Sequence, residues 1–237
     1  MKKILKGLLN FLLPPNCPIC HQKIERDGLC PHCFSKLEFI GTQKCSVCGQ
    51  PLDVLVPGMS ICGTCLKKPP YFRQAEAVFK YNDTSKKLIL AFKYGDHTEL
   101  ANLFIKWMDQ NSSALIQKND ILMPVPLHWR RLLKRKYNQS ALLAQKLAKK
   151  YNKRYDPLTL KRTQSTPSQG HLSPKERLKN VKNAFKIKNT KKVKDKSILL
   201  IDDVFTTGAT VNECAKILLK AGAKSVDILT LIKVAKE

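Results

Sequence analysis

An acidic pair followed by a turn of small residues is the part of this sequence best suited to chemistry. Residues 198–201 are apolar and mostly β-favouring, which predicts a short buried strand. Asp202 and Asp203 follow directly, where that strand should end. Helical spacing runs over residues 213–220, and Gly222 predicts the helix end. The small-residue turn lies between them and contains Thr206, Thr207, Gly208, Ala209 and Thr210.

This order of features predicts a phosphate site beside a sugar site. Backbone N–H groups and hydroxyls at a helix N-terminus bind anions. The two carboxylates can accept hydrogen bonds from sugar hydroxyls. The turn lacks the lysine of Walker-type phosphate loops, and a Rossmann glycine fingerprint is absent from the sequence. The alternative without a ligand is an Asp-Asp pair that simply ends a strand at the surface.

The same segment resembles the motif that binds phosphoribosyl pyrophosphate (PRPP) in type I phosphoribosyltransferases. The resemblance implies that Asp202 and Asp203 form the catalytic pair and hold the ribose 2′- and 3′-hydroxyls. It also implies that residues 206–210 hold the 5′-phosphate. Transfer chemistry at such a site would use Mg²⁺ on the pyrophosphate and ribose oxygens.

Eight of the nine cysteines form four Cys-x-x-Cys pairs. Nine residues separate the first pair from the second, and thirteen separate the third from the fourth. Four thiolates bind one tetrahedral Zn²⁺, so consecutive pairs predict two zinc ribbons, while pairing the first with the third is the interleaved alternative. Repeated two-residue spacing favours a metal over a disulfide framework. The ninth cysteine, Cys214, is predicted in the core. The metal ligands are Cys17, Cys20, Cys30, Cys33, Cys45, Cys48, Cys62 and Cys65.

The formal net charge of +25 is concentrated in one region of the chain. Residues 128–196 hold 22 Lys and Arg against 3 Asp and Glu, a difference of +19. Residues 1–70 hold only 9 against 4. Such a basic region favours polyanions, namely nucleic acid, pyrophosphate or an anionic membrane surface. A solvated basic face is the alternative.

The N-terminal residues 1–15 place lysines before an apolar stretch, as a signal peptide does. Lys6 and Asn10 interrupt the apolar run, and it is too short to span a bilayer. We therefore expect an amphipathic helix that packs on the protein or rests on a membrane surface. Zinc thiolates predict a reduced, intracellular setting, with peripheral contact at the inner face of the cytoplasmic membrane left open.

The sequence pattern changes near residue 70. Residues 1–70 have little apolar periodicity and predict a small domain that folds around metal. Residues 71–237 alternate strands with helices, which predicts an α/β domain with a parallel sheet. The resemblance of the acidic-pair segment implies that this domain is type I phosphoribosyltransferase-like. Ligands bind such sheets beyond the carboxyl ends of the strands, where the acidic pair falls. Strands are expected at 76–81, 121–125, 198–201 and 226–232, and helices from Asn82 or Asp83 to about 94, at 98–108 and at 138–151.

Two further segments resemble parts of the transferases. Residues 124–131 follow a predicted strand end, and the resemblance implies a pyrophosphate-binding loop with Arg130 and Arg131 as ligands. Arginine suits bidentate contact with phosphate oxygens; the alternative is that both arginines merely begin the basic surface. Residues 161–180 are polar, and long polar loops are usually functional or disordered. Their place resembles the mobile hood, so Gln169, Arg177 and Asn180 are expected to close over a ligand.

Several markers are spread over nearly the whole chain: the cysteine pairs, Phe92-Lys93-Tyr94, Pro124-Val125-Pro126 with Arg131, Tyr137-Asn138-Gln139, Gln169 with Leu172, Arg177 and Asn180-Val181, and Asp202 to Thr210. Together they resemble the ComF/ComFC family of competence proteins. The resemblance implies a cytoplasmic factor that binds PRPP, handles incoming single-stranded DNA and works with other DNA-uptake proteins. Lys136 stands where the family usually has glycine, which puts the role of that turn in question.

Single-stranded DNA binding needs cations along the backbone and aromatic faces for the bases. Trp129 is the aromatic residue best placed among the cations. Three functions stay open: a DNA-uptake factor that binds PRPP, an active phosphoribosyltransferase for a nucleobase or related acceptor, and a nucleic-acid adaptor without a ligand. The predicted DNA-binding residues are Trp129, Arg130, Arg131, Lys134, Arg135 and Lys136.

Overall fold

The computed structural model describes residues 15–25, 27–52, 60–95, 97–135, 137–164 and 174–235. Its main element is a five-stranded parallel sheet with strand order β1-β7-β6-β2-β3. A separate antiparallel pair, β4-β5, lies outside that sheet. The predicted parallel α/β fold is therefore confirmed. The strands are β1 (Gln74–Lys80), β2 (Ile121–Pro124), β3 (Arg154–Tyr155), β4 (Leu160–Arg162), β5 (Phe185–Ile187), β6 (Ser197–Phe205) and β7 (Ser225–Lys233).

Helices connect the strands, and several begin at side-chain caps that the sequence encodes. The Asn82 side chain accepts a hydrogen bond from the Ser85 amide at 2.8 Å, and Ser85 Oγ accepts one from the Asn82 amide at 2.9 Å. Asn138 caps another helix through the amides of Ser140 and Ala141. No helix among the described segments is both long and apolar enough to cross a membrane. The helices are α1 (Pro31–Ser35), α2 (Gly63–Lys67), α3 (Asp83–Tyr94), α4 (Leu100–Gln117), α5 (Trp129–Arg135), α6 (Gln139–Lys150), α7 (Pro174–Val181) and α8 (Ala209–Lys220).

The core consists of two apolar layers, one on each face of the sheet. Along β6, Leu199 and Ile201 pack with α3, α4 and α6, whereas Ile198 and Leu200 pack with α8 and the β4-β5 pair. This alternation follows from the two-residue period of a strand. Cys214 of α8 is fully buried in the second layer, as predicted. Both faces of the sheet are thus covered, which leaves the strand ends as the place for a ligand.

The cysteine-rich region packs along β1, the edge strand of the sheet. Phe39 forms an antiparallel bridge with Phe79, and the Ile40 amide donates to the Val78 carbonyl at 2.9 Å. Farther along, the Ala75 amide donates to the Val47 carbonyl at 2.7 Å. These bonds satisfy backbone groups that an edge strand would otherwise expose.

Two sequence predictions about local structure are wrong. Strand β6 does not end at Ile201; it runs through the acidic pair because β7 pairs with it as far as Phe205. Pairing therefore overrides the low strand propensity of aspartate. Residues 161–180 are also not one long loop. They include the end of β4 and α7 up to Asn180, and the buried residues Leu160 and Val181 flank the segment.

Candidate functional site

A cavity of about 330 Å³ opens at the carboxyl ends of β2 and β6. The acidic pair lies on one side of it, and the turn that starts α8 lies on another. Residues 125–127, which follow β2, form a third wall. The structure thus brings together three segments that are far apart in sequence. Of the residues predicted to bind ribose and phosphate, those that line the cavity are Asp202, Asp203, Thr206, Gly208, Ala209 and Thr210.

Each aspartate of the pair has a side-chain partner on a helix, and neither partner was predicted as a site residue. Lys93 Nζ of α3 lies 2.8 Å from Asp203 Oδ2. Ser140 Oγ of α6 donates to Asp202 Oδ1 at 3.0 Å, and the Asp203 amide donates to the same oxygen at 2.9 Å. These contacts fix the directions of both carboxylates. Lys93 belongs to the Phe92-Lys93-Tyr94 marker, which was the available sequence signal for it.

Burial and, second to it, the negative charge of Asp203 raise the pKa of Asp202 to about 7. The hydrogen bond from the Asp203 amide, the Lys93 ammonium and the Ser140 hydroxyl act in the opposite direction. Asp202 therefore carries a proton in the folded state over a pH range in which an ordinary aspartate is already charged. Its charge state changes close to neutral pH, which is the range in which a ligand would meet it.

We predict a pH dependence that belongs to Asp202. Because its pKa is raised from 3.8 to about 7, the folded state holds more protons than the unfolded state between these values. The contribution of Asp202 to the free energy of unfolding should therefore fall as pH rises through this window and level off above it. Thermal unfolding across the window should show this contribution as the difference in slope between wild type and Asp202→Asn. An equal slope in both proteins would contradict the assignment.

The turn before α8 has the geometry of an anion site. Gly208 is the N-cap residue, with φ of +76°, a conformation that favours glycine. A Cβ at this position would lie 2.7 Å from the Phe205 ring, so a side chain does not fit there. The N-terminus of α8 consequently opens directly on the cavity, where its backbone N–H groups and partial positive charge favour a phosphate. Thr207 lies outside the lining of this cavity and lines a second one instead.

Only one of the two predicted pyrophosphate ligands lines the cavity. Arg131 lines the cavity, and its side chain is half-buried, whereas Arg130 is exposed and absent from the lining residues. Arg135 of α5 and Arg162 of β4 also line the cavity, and sequence had assigned Arg162 no role. Burial lowers the pKa of Arg162, and the charge of Arg131 lowers it further, because the cations are held close together. Such a group of cations attracts a multiply charged anion.

Helix α5 carries the predicted DNA-binding residues. Trp129 is 58% exposed, and the Arg130 guanidinium lies 5.4 Å from its ring centroid. At the other end of the helix, the Arg135 guanidinium lies 5.2 Å from the centroid of Tyr94, which is 60% exposed. Two exposed aromatic rings thus lie beside arginines near the cavity. Lys134 is described only in its backbone, and Lys136 lies outside the described residues.

The residues expected to close over a ligand are only partly described. Gln169 lies outside the described residues. Arg177 belongs to α7, although its side chain is not described, and Asn180 of the same helix is half-buried. Helix α7 packs against α8, which begins at the small-residue turn. Closure over the cavity stays a prediction for all three residues.

The cysteine pairs form two separate clusters, as the consecutive pairing predicts. Cys17, Cys20, Cys30 and Cys33 make up the first zinc cluster, and Cys45, Cys48, Cys62 and Cys65 make up the second zinc cluster. Within each cluster the four sulfur atoms lie within 4.8 Å of one another. The interleaved pairing is therefore wrong.

The sulfur distances fit a tetrahedral metal site rather than disulfides. Cys20 Sγ lies 3.6 Å from Cys30 Sγ, and Cys48 Sγ lies 3.7 Å from Cys62 Sγ. Zn–S bonds of about 2.3 Å in a tetrahedron put neighbouring sulfurs about 3.8 Å apart. A disulfide needs about 2.05 Å. Both clusters thus have the donor set and spacing of structural zinc ribbons.

Two family models match this chain. The model of the double zinc ribbon domain matches residues 8–66 and so includes both cysteine clusters. The model of the phosphoribosyl transferase domain matches residues 137–237, which include the acidic pair and the turn before α8. The two matches correspond to the two kinds of site in the structure.

Relatives are similar over almost the full length of the chain. DNA utilization protein YhgH of Escherichia coli O6:H1 is 32% identical over 228 residues, covering 93% of this chain and 98% of that protein. Competence protein F of Haemophilus influenzae is 31% identical over 234 residues, covering 96% and 94%. Competence protein ComFC of Bacillus subtilis is 31% identical over 231 residues, covering 94% and 87%. The similarity therefore spans the cysteine region and the parallel sheet together.

Proposed function

This chain belongs to the ComF/ComFC family, and we propose on that premise that it is a DNA-uptake factor of natural transformation that binds PRPP and single-stranded DNA. The names of its relatives, competence protein and DNA utilization protein, support a role in the use of incoming DNA. The observation that carries the proposal is one cavity lined by an acidic pair, a phosphate-type turn and several arginines.

In our proposal PRPP occupies this cavity in one orientation. Asp202 and Asp203 accept hydrogen bonds from the ribose hydroxyls, and the turn over residues 206–210 holds the 5′-phosphate. The pyrophosphate lies toward Arg131, with Arg162 close by, because these cations line the same cavity. Lys93 keeps Asp203 in place through their contact of 2.8 Å. Arg130 takes part in pyrophosphate binding only if its side chain turns inward.

Magnesium fits this arrangement as a companion of PRPP. Mg²⁺ prefers oxygen ligands and usually combines one or two carboxylates with substrate phosphates. Asp202 and Asp203 are the carboxylates at this cavity, so they are the residues that would hold the ion together with the ribose and pyrophosphate. Bound there, Mg²⁺ would neutralise charge on the pyrophosphate.

The direct test of the ligand is calorimetric titration of the zinc-replete protein with PRPP, with and without Mg²⁺. We expect saturable binding that is stronger with Mg²⁺. If binding is found, release of pyrophosphate in the presence of nucleobases decides between a binding protein and an active phosphoribosyltransferase, which the family match also allows. Absence of binding to the folded protein would overturn the PRPP part of the proposal.

Single-stranded DNA is proposed to run along α5. The exposed Trp129 and Tyr94 rings offer stacking faces, and Arg130 and Arg135 lie beside them for the phosphates. The +19 charge of residues 128–196 extends this surface. Lys134 and Lys136 belong to the same proposed surface by sequence position. We also propose a cytoplasmic location, where thiolates stay reduced, with contacts to other DNA-uptake proteins and to the membrane surface.

The free energy of DNA binding should have two separable contributions, one from base stacking and one from charge. Trp129→Ala should weaken binding by about 1–3 kcal/mol without changing its salt dependence. Arg130→Ala should reduce the slope of log affinity against log salt by about 0.7, the value for one phosphate contact on a single strand. Fluorescence anisotropy of a labelled oligonucleotide across a salt series measures both quantities.

Matched controls lie outside α5. Tyr81→Ala removes an aromatic side chain that is 43% exposed, and Lys87→Ala removes an exposed cation of α3. Neither should change DNA binding by more than about twofold, the level expected of surface substitutions. Equal effects from the controls and the α5 variants would place the DNA elsewhere.

A further inference from the structure

Lys233, the last residue of β7, lies buried between the second zinc cluster and the turn before α8. It is only 3% exposed. It pairs in register with Phe205, and its ammonium lies 3.7 Å from the centroid of the Phe205 ring. The residue also lines a second cavity, of about 410 Å³, together with Cys48, Cys62, Cys65 and residues 206–209. Lys233 therefore borders a cavity that both kinds of site share.

The charge of Lys233 needs a counter-charge, because a buried, unpaired ammonium is strongly unfavourable. Among the described residues, no carboxylate lies within ion-pair distance of it. Three ligands of the second zinc cluster, Cys48, Cys62 and Cys65, line the same cavity as Lys233. A zinc ion with four thiolates carries net negative charge, because the thiolates outweigh the divalent cation. The zinc-loaded centre would thus supply the negative charge that balances the Lys233 ammonium.

On its other side, Lys233 packs against Phe205, which in turn contacts the turn before α8. Its ammonium lies over Phe205, and a cation over an aromatic face is attractive. Phe205 in turn lies so close to Gly208 that no side chain fits between them. The Val234 amide also donates to the Phe205 carbonyl at 2.9 Å. A shift of Lys233 would therefore move the ring on which the turn rests.

We infer that Lys233 is a positioning residue that couples the second zinc centre to the turn at residues 206–210. It neutralises the zinc–thiolate charge on one side and holds Phe205, and with it Gly208, on the other. The zinc ribbon would then support the ligand site of the parallel sheet. This inference rests on the proposed function only where PRPP is used as a readout.

The test compares Lys233→Met with Lys220→Met in the full-length, zinc-loaded protein. Methionine keeps the length and apolar contacts of lysine and removes only the charge, while Lys220 is an exposed lysine of α8. Alkylation of the cysteines, followed by mass spectrometry, reports each zinc cluster separately. Hydrogen exchange of residues 205–212 reports the turn without any ligand.

In Lys233→Met, we expect alkylation of the second zinc cluster to accelerate on the order of tenfold, as for other residues that support metal ligands. The first zinc cluster and Lys220→Met should stay at wild-type rates. Exchange of residues 205–212 should accelerate, and PRPP affinity should fall by several-fold.

Wild-type alkylation of the second cluster in Lys233→Met would overturn the inference, as would equal acceleration at both clusters, which marks general destabilisation. Faster alkylation with unchanged exchange at residues 205–212 would overturn the coupling. If wild type fails to bind PRPP, the proposed function fails, and the alkylation and exchange data still decide this inference.

Discussion

Replacing Asp202 and Asp203 together by alanine should abolish measurable Mg²⁺-dependent binding of PRPP. Hydrogen bonds to charged groups contribute about 1.5–3 kcal/mol each, so losing two should weaken binding by at least about 100-fold. The loss is expected to be large because both carboxylates are held in fixed directions by Lys93 and Ser140 before a ligand arrives. Calorimetric titration of the variant and of wild type measures the difference.

The acidic-pair experiment needs a control for folding and one for charge. Asp83→Ala removes an exposed carboxylate from the first turn of α3, and it should bind PRPP as wild type does. Asp202→Asn with Asp203→Asn keeps the side-chain volume and should lose binding as the alanine variant does. A folded alanine variant that still binds PRPP with wild-type affinity would remove the acidic pair from the ligand site.

Replacing Cys33 should remove one of two zinc ions and unfold the first ribbon. Cys33 is 4% exposed and belongs to the first zinc cluster. Metal binding supplies most of the folding free energy of such a small unit, so Cys33→Ala should lower the zinc content from about two ions per chain to about one. Elemental analysis of the purified protein gives the count directly.

Cys214→Ala is the matched control for Cys33→Ala. Cys214 is also a buried cysteine, but it lies in the apolar layer around α8 and belongs to neither cluster. Its replacement should cost about 0.5–3 kcal/mol of unfolding free energy and leave the zinc content unchanged. Retention of both ions by Cys33→Ala, or a loss of zinc in Cys214→Ala, would contradict the assignment of ligands.

Local features of the sequence were sufficient for much of the fold. Asn82 and Asn138 were recognised near helix starts because a cap acts on amides only two or three residues away. The interiors of β6 and β7 were recognised from apolar runs, since a parallel strand is buried on both faces. The carboxyl end of β6 was missed, because the strand extends beyond Ile201 only through its pairing with β7. The short β4-β5 pair was missed for the same reason.

The sequence by itself determined which chemical groups this protein has: the cysteine pairs, the acidic pair with its turn, and the basic region around α5. Each depends on neighbours in the chain, so spacing was enough to find it. Only the tertiary structure decided which groups meet. Lys93, Ser140 and Arg162 come from three separate elements and reach the acidic pair or its cavity because the strand ends converge there. Lys233 shares a cavity with the second zinc cluster because the ribbon packs beside the sheet, an arrangement that no local pattern predicts.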